Sequence, residues 1–209
     1  MNWMKKVAVA LVCLLPLGLQ AAKVDTLQVK SPSMNKSIEV VVVSPDVAAT
    51  KACPVIYLLH GYGGNARTWV GIKPDLSKIA DEKGIFFVCP DGKNTWYWDS
   101  PLNADVRYET FISDELVKYV DSHYKTVADR KGRAITGLSM GGHGAMWNGL
   151  RHSDVFSAAG STSGGVDIRP FPKNWEMSVQ IGEKAKYPEN WEKYTVTVSY
   201  THLTLPTIA

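Results

Sequence analysis

The chain has 209 residues, 45% of them hydrophobic, which is enough for one domain with a sizeable core. Its formal net charge is +3 from 23 basic and 20 acidic residues; setting aside Lys5 and Lys6, which lie in a segment expected to be removed, leaves +1. That balance gives no electrostatic case for nucleic acid or an anionic membrane as a partner.

Lys5 and Lys6 followed by the 13-residue apolar stretch Val7 to Leu19 read as a secretory signal, too short to span a bilayer. Small residues follow at Ala21 and Ala22, so residues 1–22 are taken as the signal peptide of a protein exported to the periplasm or beyond. The runs Val24–Lys30 and Lys36–Ser44, separated by "SPSMN", predict an antiparallel strand pair. "PVIYLLHG" (Pro54–Gly61) is a continuous apolar run, as expected of a strand buried on both faces, and "GYGGNARTW" follows as a loop. A short amphipathic helix is expected over Lys73–Lys83, then a second buried strand over Gly84–Gly92. An aromatic-rich loop leads to a helix over Tyr108–Tyr124, with Phe111, Ile112, Leu116, Tyr119 and Val120 at helical spacing. "RAITG" reads as a strand, "MGGHGAMWNGLRH" as a helix and "FSAAGSTSGG" as another strand and loop. Alternating strands and helices predict an α/β fold, a mostly parallel sheet with helices on both faces. In that sheet Cys53 and Cys89 lie near opposite ends of neighbouring parallel strands, beyond disulfide reach, so two free buried thiols are expected.

Gly137-Leu138-Ser139-Met140-Gly141 fits G-x-S-x-G. The pattern needs its glycines because the serine sits on a sharp turn where the residues two before and two after it come close. Alone it is a weak signal. Here it follows a predicted strand and opens a predicted helix, the context the motif requires, so Ser139 is the expected nucleophile. "LLHGYGG" puts a glycine-rich loop at the end of a preceding strand; it reads either as a flexible turn or as half of an oxyanion hole. In the latter reading the backbone N–H groups of Tyr62 and Met140 are the donors.

"HGYGG", "PDGKNTWYWDSP", "YETFISDELVKYVDSHY", "RAITGLSMGGHGA" and "SGGVDIRPFP" together resemble the putative-esterase family of α/β-hydrolases, over about Val24 to Tyr194. That family includes tributyrin-type esterases, S-formylglutathione hydrolases, feruloyl esterases and mycolyltransferase-like proteins. The resemblance implies an α/β-hydrolase fold and hydrolysis of short acyl esters, with carbohydrate or phenolic alcohols as candidate leaving groups. It implies Ser139 as nucleophile, with Tyr62 and Met140 supplying the oxyanion amides. Acyl transfer of the mycolyltransferase-like type and a non-catalytic binding module on the same fold are the rival functions.

The triad order in such folds is Ser, then Asp or Glu, then His. His60 and His123 precede Ser139, and His60 reads as a residue that packs or hydrogen-bonds beneath the oxyanion loop. His143 is fixed near the start of the helix that the serine opens, and His152 lies at that helix's far end. Only His202 has the right order. It falls within "VSYTHLTLPT" (Val198–Thr207), which can be written GTC TCT TAT ACA CAT CTG ACG CTG CCG ACG and resembles the adapter of transposase-based sequencing libraries. The alternating "TVTVSYT" also fits a strand. On the adapter reading 197–209 is not protein-derived, 23–196 is an incomplete esterase domain lacking its last strands, and the triad acid and histidine are not in this chain. Asp99 and Asp167 are then candidates for loop packing or hydrogen bonding only.

Trp96, Tyr97 and Trp98 follow a strand on the same rim as Ser139. Trp96 and Trp98 read as an aromatic wall for substrate, or as anchors of a long loop. "DIRPFPKNWEM" is either the start of a lid or an ordinary connection. The sequence has neither metal-ligand spacing of His or Cys nor a phosphate-binding glycine loop, so no cofactor is expected.

Overall fold

Strands that are apolar at every position must be covered on both sides, and the sheet is built that way. The computed structural model describes residues 22–201. Its strands are β1 (Lys23–Ser31), β2 (Lys36–Ser44), β3 (Val55–Leu59), β4 (Phe86–Pro90), β5 (Arg133–Gly137) and β6 (Ala158–Ala159). They form one sheet in the order β1-β2-β4-β3-β5-β6, antiparallel at β1-β2 and β2-β4 and parallel from β4 to β6. The pleat divides alternate residues between two cores. Val40, Val42, Tyr57, Leu59, Phe86 and Val88 join one; Val41, Val43, Leu58, Phe87 and Cys89 join the other.

The second core is closed by Leu76 and Ala80 of helix α2 (Leu76–Lys83). Helix α1 (Thr68–Ile72) lies where only a loop was expected, and α2 begins three residues later than predicted. Pro74 explains the break: the residue before a proline is pushed out of the helical region, and Lys73 takes φ −129° and ψ 74°. On the other face, α3 (Tyr108–Thr110) runs through a π-helical turn (Phe111–Glu115) into α4 (Leu116–His123), matching the predicted helix with one irregular turn. Helix α5 (Met140–Arg151) packs beside it in the same core.

Beyond β6 the chain forms α6 (Met177–Ile181), α7 (Pro188–Lys193, with proline in the first turn) and α8 (Val196–Thr201). No periodicity in the sequence announces these short helices. The strand reading of "TVTVSYT" is overturned, since α8 packs on α5 with Val196 buried, and Thr195 Oγ1 donates to the Trp191 carbonyl at 2.7 Å. Apart from Ala22, the segment read as a signal lies outside the described residues, as do His202 and the rest of 202–209.

Cys53 and Cys89 are free and buried. Parallel pairing of Val55 with Phe86 sets them several residues out of register. Burial pushes both thiols up, Cys89 to about 12. With so little thiolate, Cys89 in the native chain reacts with Ellman's reagent roughly 10³-fold more slowly than in denaturant. Rapid labelling of Cys89 without denaturant would contradict this burial.

Candidate active site

Strand β5 ends at Gly137 and α5 begins at Met140, so the chain reverses across Leu138 and Ser139. Ser139 takes φ 53° and ψ −118°, a conformation that costs a non-glycine residue about 1–3 kcal/mol. Its backbone is tied in place: its N–H donates to the Thr162 carbonyl (2.8 Å), and its carbonyl accepts from His143 N–H (3.0 Å). The turn works only with glycine on either side. A Cβ on Gly137 would lie 2.4 Å from the Gly141 backbone, and one on Gly141 would lie 2.2 Å from the Leu59 carbonyl oxygen. The result is an exposed serine at the N-terminus of a 12-residue helix, where the helix dipole favours negative charge.

The loop after β3 lies against this turn. A Cβ built on Gly61 would be 3.5 Å from Ser139 Cβ. Neither Tyr62 N–H nor Met140 N–H donates to an acceptor among the described residues, while their neighbours Gly63, Gly64 and Gly141 all do. Three contacts hold the loop. Gly63 N–H donates to Asn94 Oδ1 at 2.8 Å, and the Tyr97 hydroxyl donates to the His60 carbonyl at 3.1 Å. Gly92 N–H donates to His60 Nε2 (2.9 Å), so the imidazole proton sits on Nδ1 and is given to the Gly61 carbonyl at 2.7 Å. His60 is therefore a spent, buried ring beneath the loop.

A cavity of about 260 Å³ opens over Ser139. Tyr62, Trp96, Met140, Phe171, Trp175 and Met177 are among the residues that line it. Trp96 Nε1–H donates to the Trp175 carbonyl (3.1 Å), so "DIRPFPKNWEM" is fastened across the cavity. Trp175 and Glu176 both have positive φ, 48° and 53°. The Glu176 carboxylate near the Tyr62 phenol pushes its pKa up.

Residues 31–203 match the family described as "Putative esterase". The chain belongs to the putative-esterase family of α/β-hydrolases. Esterase Rv1288 of Mycobacterium tuberculosis (strain ATCC 25618 / H37Rv) is 31% identical over 149 residues, 68% of this chain and 32% of that protein. The diacylglycerol acyltransferase/mycolyltransferase Ag85A of Mycobacterium leprae (strain TN) is 32% identical over 158 residues, 69% of this chain and 44% of that one. A solved ferulic acid esterase superposes with a TM-score of 0.65 at 30% identity, covering 84% of this chain and 71% of that chain. The chain thus spans about a third to under a half of these two curated relatives' length.

In this esterase-family chain the remaining sequence candidates fall clear of the Ser139 hydroxyl. Trp98 is corrected: it is fully buried and does not line the cavity, because Trp96 and Tyr97 both take positive φ (59° and 60°) and turn it inward. Its Nε1–H donates to His143 Nε2 instead (2.9 Å). Asp99 accepts from the Thr110 N–H and hydroxyl at the end of α3. Asp167 reaches the cavity wall, but Arg169 holds both its oxygens, at 2.9 and 2.7 Å, and keeps its carboxyl below the ordinary range. His152 pairs with Glu109 at 2.9 Å, and exposed His123 stacks on Tyr119. Among the described residues no histidine hydrogen-bonds to Ser139 Oγ, and no cluster of His, Cys, Asp and Glu could hold a metal ion. No helix there is long and apolar enough to cross a membrane.

Asn94 escapes sequence reasoning, and Phe171 and Trp175 are reached only through the reading of "DIRPFPKNWEM" as the start of a lid.

Proposed function

We propose that this chain carries the nucleophile and oxyanion half of an exported serine carboxylesterase. The observation that carries the reading is the strained, exposed Ser139 facing an aromatic cavity beside two unengaged backbone N–H groups. Ser139 Oγ attacks the ester carbonyl while a histidine takes its proton. The carbonyl oxygen becomes an oxyanion between Tyr62 N–H and Met140 N–H. The C–O bond to the alcohol then breaks, the histidine returns the proton to that leaving oxygen, and water hydrolyses the acyl-serine in the same manner. The cavity suits a short or single-ring acyl group.

The histidine and its acid are proposed to lie beyond residue 196, with 197–209 adapter-derived and 23–196 an incomplete domain. On this reading the 209-residue chain hydrolyses esters poorly, and the short, exposed β6 is a sheet edge that a further strand would cover. The similarity to a mycolyltransferase supports a second reading, transfer of the acyl group to an alcohol instead of water.

The test is a chain extended with its native downstream codons, treated with a fluorophosphonate and mapped by mass spectrometry. Adduct at Ser139, absent in Ser139→Ala, is the expected result. An extended chain with a histidine after an Asp or Glu that stays unlabelled would favour a non-catalytic module. Product ratios with water and alcohol in competition separate hydrolysis from transfer.

A further inference from the structure

His143 is fully buried, one helical turn after Ser139 on α5. Both ring nitrogens are engaged in a fixed sense. Trp98 Nε1–H donates to Nε2 at 2.9 Å, so the single ring proton is on Nδ1, which donates to the Gly165 carbonyl at 2.7 Å. Trp96 and Trp98 meet the ring edge-on, each with centroids 5.2 Å away, and Trp147 lies parallel at 6.3 Å. Gly165 belongs to the turn 161–165 that walls the cavity, and Thr162 of that turn accepts the Ser139 N–H. The same turn packs on α5, where a Cβ on Gly142 would lie 2.7 Å from Ser161 Oγ and 3.0 Å from Gly164 Cα. The imidazole is therefore the bracket joining the tryptophan loop, the nucleophile helix and the cavity wall.

We infer that His143 is a positioning residue that works only as the neutral, Nδ1-protonated ring, so that a second ring proton releases the wall that holds the Ser139 turn. A proton on Nε2 would face the Trp98 N–H head-on, donor against donor, and place a cation among three indoles. Among the described residues no charged group stands ready to pair with it. On the packed elements, Asp99 is held by Thr110, Asp167 by Arg169, and Glu109 by Trp147, Arg151 and His152. The Tyr97 and Tyr194 hydroxyls donate to the carbonyls of His60 and Asp99. Among the described residues none of these hydrogen-bonds or ion-pairs with His143.

Burial lowers the ring from its ordinary 6.5 to about 4, against a smaller upward pull from the Gly165 carbonyl. The detached wall or unfolded chain titrates near the ordinary value. The stabilisation is therefore complete above pH 6.5, shrinks as pH falls, and is lost near pH 4, by roughly 10²- to 10³-fold in the equilibrium constant. The consequence for catalysis rests on Ser139 being the nucleophile; the tie itself does not.

The test uses the 209-residue chain and needs no activity. ¹⁵N-histidine NMR gives the tautomer and midpoint of His143, and hydrogen exchange gives protection factors at the Ser139 amide and in 161–165. Expected are an Nδ1–H tautomer at pH 7, and a loss of protection of about 100-fold or more between pH 6.5 and 4 whose midpoint follows the ring. His143→Gln, whose amide can both accept from Trp98 and donate to Gly165, keeps its protection flat over that range. A cationic or Nε2–H ring at pH 7, protection lost at a midpoint unrelated to the ring, or the same acid step in His143→Gln would overturn the inference. If His143→Gln does not fold, the two wild-type midpoints decide alone.

Discussion

Ser139→Ala, in a chain extended with its native downstream sequence, lowers ester turnover by about 10⁴- to 10⁶-fold and leaves capture of a non-hydrolysable ester analogue within a few-fold of wild type. The two outcomes separate because the hydroxyl takes no part in the packing. Ser139 is exposed, and the interactions that hold its turn come from its backbone N–H and carbonyl. Alanine keeps those bonds and removes only the atom that would bond to the acyl carbon. The backbone N–H groups proposed as oxyanion donors remain, so a residual rate above the uncatalysed reaction is expected. Initial rates on p-nitrophenyl acetate, with calorimetry on the analogue, measure both quantities. A variant retaining more than about a tenth of the wild-type rate would remove Ser139 from the chemistry.

Gly141→Ala destabilises the 209-residue chain by about 3–5 kcal/mol, enough to leave much of it unfolded. The new methyl would sit 2.2 Å from the Leu59 carbonyl oxygen and 2.6 Å from that of His60. Neither oxygen can easily withdraw. The Leu59 carbonyl accepts from Trp69 Nε1 at 3.0 Å and from Leu138 N–H at 3.3 Å, and the His60 carbonyl accepts from Tyr97. Gly71→Ala is the matched control: a Cβ there meets nothing within 4 Å, and the site lies in α1, so alanine is neutral or stabilises by up to about 1 kcal/mol. Urea midpoints of the two variants should differ widely. Similar midpoints would mean that the close approach of β3 to the serine turn is wrong.

How far the sequence could be read follows from what each element depends on. The buried strands and α5 were legible because continuous apolar runs and G-x-S-x-G report local sterics directly, and the structure places Val55–Leu59, Phe86–Pro90 and Met140–Arg151 within the expected spans. Helix α1 was hidden by its setting between "GYGG" and Lys73-Pro74, whose turn chemistry reads as loop. Trp98 was misread because strings of aromatics do not reveal which way the backbone turns; that depended on two successive positive-φ residues. The wall formed by Phe171 and Trp175 was legible only as one of two alternatives, a lid or an ordinary connection, for a related reason. It is held by one indole N–H reaching a carbonyl 79 residues away, which leaves no periodicity.

The three consecutive aromatics divide the loop's duties. Trp96 lines the cavity and meets His143 edge-on, Tyr97 supports the loop after β3 through His60, and Trp98 supports α5 through His143. Changes at Trp96 alter both what the cavity admits and the edge-on packing of His143, whereas changes at Tyr97 or Trp98 strike only the scaffold under the serine turn. A change at Trp96 therefore couples the shape of the cavity to the packing under the serine turn, whereas its two sequence neighbours touch only the scaffold.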